Sequence, residues 1–156
     1  MGAEDPTAAE RVRELTHRVV EALALDAEIL VEEDDERLRV ELRGDDLGLL
    51  IGRHGQTIDA VQHLAYRAAF RGTEPRKRVE VDAAGYRERR RAALYHDADR
   101  AANDAERLDR PVELEPMSAA ERRLVHEYLR ERGGVETHSE GDEPHRHLVV
   151  SPLVAS

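Results

Sequence analysis

The sequence predicts a mixed α+β protein built as two small units joined through a long helix. Three observations carry this reading. Helically spaced apolar residues and short alternating strands follow one another through about the first 84 residues. A glycine pair in "LIGRHGQTID" sits between two apolar runs, and a long Ala-rich segment leads into a second, shorter set of helix and strands.

The elements follow in order. Pro6-Thr7 with Glu10 is a capping-box start, and Val12, Leu15, Val19, Ala22 and Leu23 recur at the helical period, which predicts a helix over about residues 8 to 24. "AEILVEED" reads as a strand. "RLRVELR" is a second one, with Leu38, Val40 and Leu42 on one face and Arg37, Arg39, Glu41 and Arg43 on the other, reached through the acidic turn "EDDE". "DDLGLLI" offers an Asp cap and an apolar run of at most two helical turns, broken by Gly52. Beyond Gly55, the residues Ile58, Val61, Leu64, Ala65, Ala68 and Ala69 form one helical face, with Gly72 as the stop. "KRVEVDA" is a third strand with Val79 and Val81 inward. In "GYRERRRAALYHDADRAANDAERLDR", the residues Leu94, Ala98, Ala101, Ala105 and Leu108 line one seam of a long helix that Pro111 ends. Ser118 and Glu121 open a further helix through a second capping box, Gly133-Gly134 closes it, and "VETHSEG" and "RHLVV" are strands joined by the turn "EGDEP".

Composition excludes several function classes. There is no cysteine, hence no disulfide framework, thiolate metal site or Cys nucleophile. No run approaches the roughly 18 apolar residues of a membrane span, and the N-terminus lacks the regions of a secretory signal, so a cytoplasmic protein without membrane insertion is expected. No nucleophile–base pair, Walker loop or dinucleotide loop appears, and no enzymatic activity or cofactor is expected. The net charge of −10 argues against a polyanionic partner until it is resolved along the chain. Residues 1 to 36 balance to −9 and residues 92 to 156 to −6, whereas residues 37 to 91, which hold the glycine pair, balance to +5.

A Gly-x-x-Gly loop lets a ligand's backbone come close with no Cβ in the way, and the next helix offers free N–H groups to an anion. Arg53 and His54 stand between Gly52 and Gly55, with Leu50, Ile51 and Ile58 as the expected wall of an aliphatic groove. The alternative is a plain helical corner with two exposed basic residues. "GLLIGRHGQTIDAVQHLAY" resembles the KH domain signature, and the order helix, strand, strand, helix, loop, helix, strand matches the type II form (αββααβ) of that fold. The resemblance implies a KH domain over residues 8–84, with Gly52, Arg53, His54 and Gly55 as the clamp on a single-stranded nucleic-acid backbone.

Arg122 and His126 lie one turn apart, away from the apolar arc of Leu124, Val125 and Tyr128, and are expected at the edge of the core or toward solvent. Arg-x-x-x-His ahead of a V-x-T-x-S-E-G strand resembles the small single-stranded nucleic-acid-binding domain named for that Arg and His. It implies a connecting helix over 85–110 and this small α/β domain over 111–153, with Arg122, His126 and Arg146 on the binding face. The "YRERRR" stretch at the head of the connecting helix is either a solvated face or a phosphate-tracking patch.

Together the two motifs resemble the Jag (KhpB/EloR-like) family of bacterial RNA-binding proteins linked to cell elongation and division. The resemblance implies a post-transcriptional regulator of elongation, division or envelope biogenesis that binds single-stranded RNA, or single-stranded DNA, and that associates with a small KH-only protein or with itself. Many relatives carry an extra N-terminal domain and linker that this sequence does not show, so roles placed there do not transfer. One rival is a scaffold for proteins with vestigial RNA binding. Another is a metal-binding protein, since His138, His145 and His147, with His126, are candidate ligands. No third ligand has metal-site spacing in the sequence, and no metal-ligating residue is expected.

Overall fold

The computed structural model describes residues 5–72 and 76–153. It divides into two compact units, Met1–Arg87 and Glu88–Ser156.

In the first unit, α1 (Ala8–Ala22) begins at the expected capping box: Glu10 N donates to Thr7 Oγ1 at 3.2 Å and Thr7 N donates to the Glu10 carboxylate at 2.7 Å. These bonds hold the Glu10 carboxyl below its ordinary value. The buried stripe of α1 is Val12, Thr16 and Val20, flanked by the half-buried Leu15, Val19 and Leu23, while Ala22 is exposed. The apolar spacing passed over Thr16 as polar. Its hydroxyl donates to Val12 O at 2.7 Å, which lets it occupy the core without an unmet hydrogen bond.

The strands β1 (Glu28–Glu33) and β2 (Arg37–Arg43) pair antiparallel across a turn in which Asp34 Oδ1 accepts from both Glu36 N and Arg37 N at 2.8 Å. Then come α2 (Gly48–Ile51), a 3₁₀ turn (Arg53–Gly55), α3 (Gln56–Ala69) and β3 (Arg78–Ala83). No Asp caps α2; its N-cap is Leu47, without a side-chain hydrogen bond. β3 lies parallel to β2 in the order β1-β2-β3, with Leu38 opposite Val79 and Val40 opposite Val81. A parallel pair requires a crossover, and α2, the glycine loop and α3 supply it. Leu38, Val40, Leu42 and Val81 are fully buried in one core with Val12 of α1 and Ile58, Val61 and Ala65 of α3. Leu64, expected on that face, is 51% exposed.

The polar chemistry around this core is structural. Arg11 of α1 donates to Ala68 O at 2.9 Å and Ala69 O at 2.6 Å, satisfying carbonyls at the end of α3. Gln62 Oε1 accepts from Val81 N at 2.9 Å, and Arg87 Nε donates to Val81 O at 2.8 Å, so two side chains cover the edge of β3.

In the second unit, α4 (Tyr86–Leu108) is followed by a two-residue strand β4 (Val112–Glu113), α5 (Ala119–Arg132), β5 (Val135–Glu140) and β6 (His147–Pro152). The sheet order is β4-β6-β5, antiparallel throughout. Leu94, Ala98, Ala101, Ala102 and Ala105 of α4 join Val125, Leu129, Val135, Leu148 and Val150 in one core. The helix expected as a connector therefore supplies much of the second unit's interior, and Leu108 at its end is 40% exposed. Arginines of "YRERRR" are engaged within their own units: Arg87 with Asp59 at 2.8 Å, Arg90 with Glu121 at 2.8 Å, and Arg91 with Glu88 at 3.3 Å.

Candidate nucleic-acid interface

The loop in the first unit has a backbone that only glycine adopts with ease. Gly52 sits at φ 73°, ψ 178° and Gly55 at φ 77°, ψ 13°, and His54 between them is also left-handed at φ 53°. Both glycines are demanded by the chain's own packing. A Cβ on Gly52 would lie 2.2 Å from Thr57 Oγ1 and 2.9 Å from Thr57 N, and a Cβ on Gly55 would lie 2.7 Å from the Tyr86 ring.

The result is a tight corner whose tip carries Arg53 and His54, both exposed, whose side chains make no ion pair or hydrogen bond among the described residues. α3 starts at Gly55 with no side-chain cap, and within the corner Gln56 N donates to Arg53 O. Two exposed basic side chains beside a helix start without a side-chain cap are an arrangement that can accept an anion.

The groove wall needs correction. Leu50 and Ile58 are fully buried and belong to the core; of the three residues expected there, only Ile51 is partly exposed. α2 is four residues long, too short for its periodicity to tell an inward from an outward leucine. The apolar surface at this helix is Leu49, 66% exposed, which sequence spacing did not single out.

In the second unit, Arg122, His126 and Arg146 do come together. With Thr137, Ser139 and Leu148 they line an open concavity of about 410 Å³ between α5 and the sheet. The three residues differ in freedom. Arg122, expected at the core's edge or in solvent, is only 9% exposed, donating to Met117 O at 2.8 Å and to the Glu143 carboxylate at 2.7 Å. It ties the start of α5 to the turn between β5 and β6. Arg146 donates to Gly141 O at 2.7 Å in that same turn. His126 is exposed, and its Nδ1 meets Thr137 Oγ1.

Among the described residues the four histidines weighed as metal ligands do not form one cluster; only His138 and His147 come near one another, each beside Glu140. His126 meets Thr137, whereas the next residue, His138, which also borders the concavity, pairs with Glu140 at 2.8 Å. His145 lies outside the strands, in the turn.

Comparison with known proteins agrees with both units. A family profile described as "KhpA/KhpB, KH domain" matches residues 9–81, and the profile of the domain named for its Arg-x-x-x-His motif matches residues 92–152. The chain is 37% identical over 147 residues to the RNA-binding protein KhpB of Clostridium symbiosum, covering 93% of this chain and 66% of that protein. It is 33% identical over 135 residues to the KhpB of Bacillus subtilis, with 85% and 65% covered. The KhpB of Lactiplantibacillus plantarum is 41% identical over 104 residues, 67% of this chain and 32% of that protein. The chain thus spans two thirds or less of the length of these relatives. A KH fold carrying a glycine loop, an Arg-x-x-x-His unit that contains the long helix, and this likeness along nearly the whole chain show that it belongs to the KhpB family, in which these two domains are joined.

Proposed function

We propose that the chain binds single-stranded RNA without chemistry on it, as a post-transcriptional regulator linked to cell elongation, division or envelope biogenesis. The observation that carries the binding reading is the glycine corner. Arg53 and His54 stand exposed and unengaged among the described residues, beside the uncapped start of α3. The phosphodiester backbone lies against these groups, and bases rest on Ile51 and Leu49. The concavity of Arg122, His126 and Arg146 holds a further stretch of the strand, with His126 as the freer group and Arg122 shaping the wall. The names of the relatives, each an RNA-binding protein, support this reading. Two weak sites on one chain gain affinity when a single strand reaches both.

Fluorescence anisotropy with short single-stranded RNA at two salt concentrations tests it. The Arg53→Asp/His54→Asp variant is expected to fold and to lose binding at the first unit, and wild-type affinity is expected to fall as salt rises. Wild-type affinity in the folded double variant would remove the clamp assignment. The same assay on DNA sets the choice between the two nucleic acids.

A second reading rests on Leu49 and Leu64, two large apolar side chains more than half exposed in the first unit. They suit a protein contact with a small KH-only partner or a second copy. A concentration-dependent mass by light scattering that Leu64→Lys abolishes supports it.

A further inference from the structure

The outer face of the second sheet gathers a donor set that RNA binding does not use. β6 is the central strand, and His147 lies directly opposite Glu140 of β5. Glu113 of β4 and His138 of β5 both stand opposite Val149, two residues along and on the same face as His147. Glu113, Glu140 and His147 therefore project from three adjacent strands on one side, and a ligand atom from each lies within 4.8 Å of the other two. By strand alternation Thr137 and Ser139 point the other way, into the Arg122 concavity, which His138 also borders.

The imidazole of His147 points to a ligand independently of the carboxylates. Its Nδ1 lies 3.3 Å from His145 O, and a carbonyl only accepts, so the proton is on Nδ1. In the neutral ring the lone pair is then on Nε2. This atom is buried and has no hydrogen-bond partner among the described residues; its nearest carboxylate oxygen, Glu113 Oε2, is 3.7 Å away. Two carboxylates facing Nε2 favour positive charge between them, supplied either by a proton on the ring, as in an ion pair with Glu113, or by a metal ion. A backbone carbonyl on the far ring nitrogen is the usual device for orienting a histidine toward a metal.

We propose that Glu113, Glu140 and His147 form a binding site for a zinc-class divalent ion, with His138 as a positioning residue through its 2.8 Å contact with Glu140. One imidazole and two carboxylates suit zinc better than magnesium or calcium, which take oxygen ligands only. A tetrahedral zinc shell places donors about 3.4 Å apart. The His147–Glu113 distance of 3.7 Å is close to that, and the two exposed glutamates close the remainder by rotation. The ion cross-links β4, β6 and β5, fixing a two-residue strand that has little pairing of its own. Sequence spacing could not find this site, because its third ligand comes from β4, far from the His-rich segment in the chain.

Isothermal titration of the whole protein with zinc chloride in a non-chelating buffer tests the site, alongside thermal melting with and without chelator. One ion per chain and a higher melting midpoint with zinc are expected. Glu113→Gln/Glu140→Gln keeps the side-chain shapes and should lose both effects while melting normally in chelator; His147→Ala should lose binding. His138→Ala should weaken it about tenfold, the scale of a lost outer partner. Equal zinc binding by wild type and the double Gln variant would overturn the proposal, leaving only scattered surface histidines. So would metal-free protein in which nitrogen NMR finds His147 doubly protonated at neutral pH, with zinc leaving its shifts unmoved.

Discussion

At the residue scale, the glycines and the two basic residues of the loop are separable. Gly52 and Gly55 are required by the fold, since a Cβ at either position meets Thr57 or Tyr86 within the protein. Gly52→Ala should therefore cost about 1 to 3 kcal/mol in denaturant unfolding, whatever happens to binding. Arg53 and His54 make no such contacts, so charge reversal there probes the ligand cleanly. In the second unit the same division falls between Arg122 and His126. Arg122→Ala removes two charge-assisted hydrogen bonds from a buried position and should destabilise by about 2 to 3 kcal/mol, whereas His126→Ala should change stability by less than about 0.5 kcal/mol and act on affinity. Equal destabilisation by the two would contradict these roles. The pairing of Arg122 and His126 was legible from their four-residue spacing. The burial of Arg122 was not, because its partners Met117 and Glu143 lie on either side of the motif and only the tertiary fold brings them in.

At the scale of elements, the capping boxes and the strand alternation were readable because both are local rules. Thr7 with Glu10 and Ser118 with Glu121 each make the reciprocal bonds that their sequence pattern predicts. Leu38, Val40 and Leu42 alternate inward along β2. Short elements escaped: β4 has two residues and exists only by pairing Val112 with Val150 and Glu113 with Val149. α4 was visible as a helix, but its place in the second core was not, since an Ala-rich seam states only that something packs closely against it. That closeness is testable. Ala102 is fully buried, and Ala102→Leu should cost about 1 to 3 kcal/mol by overpacking, read as a lower denaturant midpoint. An unchanged midpoint would mean that the seam faces slack space. α4 and α5 are further tied by polar contacts: Tyr128 donates to Asp99 at 2.7 Å, and Arg132 reaches Asn103 at 2.7 Å and Glu106 at 2.9 Å. The bond to Asp99 raises the Tyr128 hydroxyl above its ordinary value. Its stabilising effect is present below the unfolded tyrosine value near 10 and is lost as pH rises through the folded one.

At the scale of the molecule, a chain of net charge −10 is read as a polyanion binder only because its charge is segregated. The basic middle holds the glycine corner, while the acidic N-terminal part disfavours non-specific polyanions. The two units each have their own core and their own candidate surface, and the family likeness runs through both. The most direct test of the account is amide NMR mapping of the full chain during titration with a short single-stranded RNA. The account predicts shifts centred on Gly52 to Thr57 in the first unit and, in the second, on the start of α5 near Arg122 and His126 with Thr137, Ser139 and Arg146 beside it. Saturable binding whose shifts avoid the Gly52–Gly55 corner would contradict it.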